Sequence, residues 1–299
     1  MSLRLLLPDH ADRLLKDWPD DLVVFDDREP TEFDQAITAE WLMRYVRNGC
    51  LPVKEIAAVR DGLSLTQQAF LDGNGHVAGE RLMNLLDAGF TLRLGNIQRI
   101  FPYFADLTRG IQSETGFSNY VHAFFTPGGK QGLNWHWDQQ VALVVQISGT
   151  KRWELWRPIV DGPMREHLLS FKVWTPETLK ECLNAGPHQV IDLEPGQAMW
   201  MPRGWIHNPH NVEDDMSVHL TFAIRERTPY WAVDEMVKDA IGVPGLRRVL
   251  APETVLGPEL AAAAGAARDE LVAYLQGLDM DVLAGSLRER ALRDKEFTI

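Results

Sequence analysis

The sequence predicts a mainly β core, preceded by an α/β flank and followed by helices. Three observations lead there. Between residues 90 and 226, short segments alternate apolar with polar residues or run wholly apolar over strand lengths. Clusters rich in turn-forming residues separate them, at 127–132, 148–151 and 194–197. After Arg225 the apolar spacing becomes helical. The expected organisation is a flank over 1–90, a core over 91–226 and a helical region over 227–299.

In order, the chain reads as follows. A short helix is expected over 11–17 and an extended segment over 22–25. Thr38 is placed to cap a helix that carries Trp41, Leu42, Tyr45 and Val46. Residues 53–59 suit a strand, 72–75 a turn, and 80–88 a helix stopped by Gly89. Alternation marks 90–94 as a strand, and a longer helix should run over 100–115 and end at Gly116. Strands are then expected over 120–126 and 136–147, the latter carrying the apolar run 141–145. The segment 148–151 suits a hairpin turn returning through 152–156. Residues 157–190 look irregular with a helix over 176–184, and strands follow at 190–193, 198–201 and 216–224. Helices are expected over 232–241, 258–275 and 281–294. In the second, Leu260, Ala264, Ala267, Leu271 and Leu275 form a stripe at helical spacing.

The chain has 299 residues, with 42 acidic against 30 basic side chains and a formal net charge of −12. A nucleic-acid backbone requires a basic face, so this balance argues against such a partner. No segment is a membrane span, and the apolar start around Leu5 is too short for a signal peptide. Cys50 and Cys182 are far apart and lack zinc-ligand spacing, so a reducing, cytoplasmic compartment is expected. Seven of the ten tryptophans (Trp135, Trp137, Trp153, Trp156, Trp174, Trp200 and Trp205) lie between residues 135 and 205. Most should be core, and together they point to a bulky apolar wall near a pocket.

The chemistry centres on Trp135-His136-Trp137-Asp138. On a strand, His136 and Asp138 would share one face, with Trp135 and Trp137 on the other. An imidazole and a carboxylate at this spacing, with a distant second imidazole, form the facial triad that holds Fe(II) and leaves the opposite positions open. Two histidines could supply that imidazole, His207 and His210, both just beyond the tight turn of Pro202 and Gly204. Lys151 lies thirteen residues beyond Asp138. A buried cation there could meet a dicarboxylate whose other end chelates the metal. Ser217, His219 and Thr221 share one face of the closing strand and would be contacts of the metal ligands or of the dicarboxylate.

Residues from roughly 80 to 225 resemble the JmjC-type 2-oxoglutarate oxygenases, and most of all their cupin-like ribosomal oxygenase branch. The resemblance rests on the order and spacing of several stretches. These are Ala88-Gly89-Phe90-Thr91-Leu92, Thr126-Pro127 through Gln131-Gly132-Leu133, His136-x-Asp138, and Gln146-x-x-Gly149-x-Lys151-Arg152-Trp153. Pro202-Arg203-Gly204-x-x-His207 and Ser217-x-His219-Leu220-Thr221 complete the set. It implies a double-stranded β-helix of the jelly-roll, cupin-like kind. It also implies Fe(II) held by His136, Asp138 and His207, with 2-oxoglutarate anchored by Lys151 and contacted by Ser217 and His219. The helical region would be a dimerisation module, making the protein a homodimer. The chain departs from that branch at His122 and Phe124, where Asn and Tyr are common. The residues left after the helices are also too few for the winged-helix portion of full-length ribosomal oxygenases.

The expected activity is therefore hydroxylation of an unactivated C–H bond of a peptide or protein side chain, with His122, Phe124, Thr126 and Trp205 as candidates for lining the substrate pocket. A second possibility is the same chemistry on a free or carrier-bound amino acid or a natural-product intermediate. Two other classes compete: a cupin isomerase or zinc hydrolase, which needs further histidine ligands, and a non-catalytic JmjC-like binding protein, which has no use for an intact triad.

Overall fold

The structure is a computed structural model that describes residues 2–164 and 175–294. Trp174 lies outside them. The chain divides into two compact units, one reaching to Arg225 and one spanning Glu226–Asp294.

The first unit contains twelve strands among its described residues: β1 (Val23–Phe25), β2 (Ile56–Arg60), β3 (Leu63–Ser64), β4 (Thr91–Leu94), β5 (Asn119–Thr126), β6 (His136–Trp137), β7 (Val141–Ser148), β8 (Lys151–Trp156), β9 (Gln189–Leu193), β10 (Ala198–Met201), β11 (Ile206–His210) and β12 (Ser217–Ile224). All pairings are antiparallel. One sheet has eight strands in the order β1-β10-β7-β12-β5-β4-β2-β3, and the other has four in the order β6-β11-β8-β9. Two facing antiparallel sheets of this kind make the expected jelly roll.

Alternation explains how the large sheet is covered on both faces. Val141, Leu143 and Val145 of β7, with Leu220 and Phe222 of β12, pack against the N-terminal helices through Leu3, Leu6, Phe33, Leu42 and Phe104. Ala142 and Val144 point the other way. They join Met199 and Met201 from their own sheet, and Trp153, Leu155, Ile191 and Leu193 from the opposing one. The apolar run 141–145 is thus a strand buried on both faces, one toward helices and one toward the barrel interior. The helices end where local chemistry requires. The Thr38 hydroxyl accepts the Trp41 amide at 3.1 Å, and Gly116 closes Pro102–Thr115 at φ 73°, a backbone that favours glycine.

Four expectations are corrected. The strand foreseen over 136–147 is two strands in different sheets, with Asp138 in the link between them. The supposed hairpin at 148–151 is a crossing, because β7 and β8 also belong to different sheets; Gly149, at φ 61°, makes the turn against the Met216 carbonyl. The segment 53–59 opens with a 3-10 turn, Val53–Glu55, before β2. No strand was expected where β11, Ile206–His210, carries His207 just beyond the turn.

The second unit contains the helices Pro229–Asp239, Pro252–Leu256, Leu260–Gln276 and Met280–Arg293. Thr228 caps the first by accepting the Trp231 amide, and Arg290 ties it to the last through Glu235 at 2.9 Å and Asp239 at 2.7 Å. The foreseen stripe on Leu260–Gln276 contributes no buried residue.

Candidate metal centre

His136 and His207 are direct cross-strand partners of β6 and β11. Cross-strand geometry brings such side chains together on one face, and the two rings lie 4.1 Å apart between centroids. Asp138 follows β6, and its carbonyl accepts the Gly204 amide at 2.9 Å, which ties it to the turn leading into β11. The ligand atoms of His136, Asp138 and His207 all lie within 4.8 Å of one another. His210 is not part of this cluster.

Backbone carbonyls set the tautomers. His136 Nδ1 lies 2.7 Å from the Asn134 carbonyl, and His207 Nδ1 lies 2.9 Å from the Trp205 carbonyl. Each carbonyl can only accept, so each Nδ1 carries the proton and each Nε2 keeps its lone pair for a metal. Burial, and then the neighbouring His136, push the His207 pKa down to about 4, which keeps it neutral as a ligand must be.

The triad opens on a cavity of about 240 Å³ between the sheets. Lys151 lines it and is almost fully buried. Its Nζ donates to Thr126 Oγ1 at 2.7 Å, and that hydroxyl lies 3.2 Å from Thr91 Oγ1. Among the described residues no carboxylate pairs with Lys151. Burial alone pulls its pKa down to about 7. His219 stacks on Phe124, ring centroids 4.8 Å apart, and its buried Nδ1 has no hydrogen-bond partner. Burial, reinforced by the Lys151 charge, holds this imidazole well below its usual pKa.

Of the expected site residues, His122, Phe124, Thr126, Lys151 and His219 line the same cavity as the triad. Ser217 and Trp205 do not. The Ser217 hydroxyl is engaged by Gln146 Nε2 at 2.9 Å, and the β12 register shifts between Val218 and His219. Trp205 fills the apolar interior between the sheets. The tryptophan wall is also narrower than foreseen. Trp153 lines the cavity, whereas Trp137 and Trp156 pack with Ile206 on the outer face of the small sheet, and Trp200 stacks edge-on against Trp18. Arg93 and Tyr120 line the cavity without having been foreseen. The alternation in 90–94 was the available signal, since it sets Arg93 beside Thr91, opposite the core-facing Leu92 and Leu94.

A family profile described as "JmjC domain" matches residues 94–231. The chain carries a JmjC domain. Ribosomal oxygenase 1 of Rattus norvegicus is 26% identical over 235 residues, 75% of this chain and 36% of that protein. The bifunctional lysine-specific demethylase and histidyl-hydroxylase NO66 of Brugia malayi is 28% identical over 169 residues, 55% of this chain and 22% of its own. The chain therefore spans well under half the length of either relative. Among solved structures, the Escherichia coli ribosomal oxygenase YcfD in complex with cobalt and 2-oxoglutarate superposes with a TM-score of 0.54 at 13% identity, covering 97% of this chain and 72% of that one. This likeness shows that the JmjC domain here has the double-stranded β-helix fold. No helix among the described residues is long and apolar enough to cross a membrane.

Proposed function

We propose that the JmjC domain is an Fe(II)- and 2-oxoglutarate-dependent oxygenase that hydroxylates an unactivated C–H bond of a peptide or protein side chain. The observation that carries this reading is the coexistence, in one cavity, of an open His-Asp-His cluster and a buried lysine without a carboxylate.

The residues present fit both groups. His136, Asp138 and His207 offer two imidazole lone pairs and one carboxylate, the donor set that suits Fe(II) and leaves further positions open. Lys151 is a desolvated cation waiting for an anion, and the distal carboxylate of 2-oxoglutarate supplies one. Thr126 holds the Nζ in place, and the unpartnered Nδ1 of His219 is a further contact for the cosubstrate. When bound, iron, 2-oxoglutarate and dioxygen together convert the cosubstrate to succinate and CO2 and place one oxygen atom in a C–H bond of the substrate. Around that chemistry, Trp153 and Phe124 exclude water and the two backbone carbonyls keep the imidazoles aimed. Relatives named for ribosomal and histidyl hydroxylation support a protein substrate.

The same reading places the protein in a reducing cytoplasm, where iron stays ferrous and the free Cys50 and Cys182 stay thiols. It also makes the protein a homodimer through the helical unit, whose exposed Tyr230, Val233, Val237 and Ile241 suit a second copy. Light scattering returning a monomer mass would remove the dimer. The activity is tested by titrating the protein with Mn(II) and 2-oxoglutarate, then incubating it with Fe(II), 2-oxoglutarate and cell-derived peptides under labelled dioxygen. Mass spectrometry should find peptides that gain one labelled oxygen. Protein that binds neither metal nor cosubstrate would be a binding module instead.

A further inference from the structure

The proposed chemistry leaves one end of the cavity unassigned. Arg93 on β4 lies across from Phe124 on β5 and lines the cavity beside His122 and Tyr120. Its buried Nε has no hydrogen-bond partner, and among the described residues its guanidinium pairs with no carboxylate. Its charge bears on both Tyr120 and His122. So does that of Asp138, which puts this end of the cavity beside a metal ligand. Lys151 belongs to the other end, with Thr91, Thr126 and His219.

His122 gives the Arg93 end a direction. The Asn96 amide donates to His122 Nδ1 at 3.1 Å. Asn96 is held for this by a left-handed backbone, φ 46°, and by its side-chain bond to Glu55 Oε2 at 2.9 Å. An imidazole that accepts at Nδ1 and is neutral carries its proton on Nε2. Burial keeps it neutral. Apart from that bond and a backbone contact with Val121, the ring makes no hydrogen bond among the described residues. This wall therefore offers a guanidinium fork and an imidazole N–H, both donors. Charge gives the same answer. With a divalent metal on Asp138 and a doubly charged cosubstrate on Lys151, Arg93 leaves one positive charge unmatched.

We infer that Arg93, together with the Nε2–H of His122, binds a carboxylate of the substrate, so that the unit presented for hydroxylation is acidic rather than basic or neutral. The carboxylate can be an aspartyl or glutamyl side chain or a free terminal carboxyl. The inference rests on the oxygenase reading and narrows its substrate.

The test uses the full chain loaded with Mn(II) and saturating 2-oxoglutarate. Paramagnetic relaxation of probe protons reads binding near the metal without turnover. The probes are acetyl-glutamate amide, acetyl-alanine with a free carboxyl, and acetyl-glutamine amide and acetyl-lysine amide as neutral and basic controls. A charge-assisted contact predicts that one of the acidic probes binds about tenfold or more tighter than the controls. Arg93→Gln should erase that preference, Arg93→Lys should restore part of it, and both should keep 2-oxoglutarate affinity within about twofold of wild type. Which acidic probe wins tells a side chain from a terminus. Equal binding of acidic and neutral probes to the wild-type protein overturns the inference whatever the variants do. So does a preference that survives Arg93→Gln, or a loss of 2-oxoglutarate affinity in that variant, which would make Arg93 a cosubstrate ligand. Failure of the wild-type protein to load Mn(II) and 2-oxoglutarate overturns the oxygenase reading itself, a separate outcome.

Discussion

Lys151→Met should make the protein more stable and functionally dead. In the wild type the Nζ is buried with one hydroxyl partner, and its pKa falls from 10.5 to about 7. The unfolded chain holds the amine near its ordinary value, so between those two values the unfolded state binds more protons than the folded state. Stability therefore rises with pH across that window, and the charge is most costly below about pH 7. The gap corresponds to about 5 kcal/mol as an upper bound. Methionine fills the same space without charge and gives up the Thr126 hydrogen bond, leaving an expected gain of about 2–4 kcal/mol at about pH 6. Urea denaturation of both proteins from about pH 6 to about pH 10 measures it, and the difference between them should shrink as pH rises. Calorimetry on the Mn(II)-loaded proteins should show 2-oxoglutarate affinity reduced about a hundredfold or more by the substitution. Wild-type affinity should itself weaken as pH rises above about 7, where the free amine loses its proton, while the variant shows no such slope. A variant no more stable than wild type at low pH, or one that binds 2-oxoglutarate within about twofold of wild type, would refute the account of Lys151 as a buried cation kept for a ligand.

Three other substitutions probe separate parts of the unit. His136→Ala should abolish Mn(II) binding and substrate-dependent 2-oxoglutarate turnover while leaving the thermal midpoint almost unchanged, because the side chain is only partly buried; full turnover in this variant would dismiss the triad. Arg28→Met should cost about 3–5 kcal/mol in urea denaturation, since it strands Asp34 and removes the donor to the Leu6 and Gly196 carbonyls; a loss under about 1 kcal/mol would show that the ion pair is dispensable. Gly132→Ala should destabilise by about 1–3 kcal/mol and weaken 2-oxoglutarate binding, because a Cβ there meets the Thr91 side chain at 2.8 Å and presses on the Thr126–Lys151 contact; unchanged cosubstrate affinity would separate Thr91 from the anchor.

What could be read from the sequence was local. Alternation located the strands around Leu92, Val121, Leu143 and Leu220, and the turn residues near Gly116 and Gly204 marked where elements end. Sheet membership was not legible, because pairing is non-local. Nothing between Val141 and Trp156 distinguishes a hairpin from a crossing between sheets, since either uses a Gly at positive φ. The same holds for the break after Trp137. His136-x-Asp138 looked like a strand pair, yet the carboxylate reaches the histidines from the link that carries the chain to the other sheet. Alternation gave the face of Arg93, but the partners of Arg93 and Asn96 were out of reach for another reason. Their significance lies in what they face, His122, which comes to them only through the β4–β5 register and a left-handed residue.

That register logic also accounts for a ligand set shaped before any ligand arrives. His136 and His207 are paired across β6 and β11, so their separation is set by main-chain geometry rather than by side-chain packing. Their tautomers are set by carbonyls two residues upstream, at Asn134 and Trp205. Asp138 is anchored through its own backbone to Gly204, not through its carboxylate. None of these restraints uses an atom that a metal needs. A cluster held by its side chains would have to exchange hydrogen bonds for coordination. Here the backbone bears the cost of orientation, and the ligand atoms remain free to bind metal.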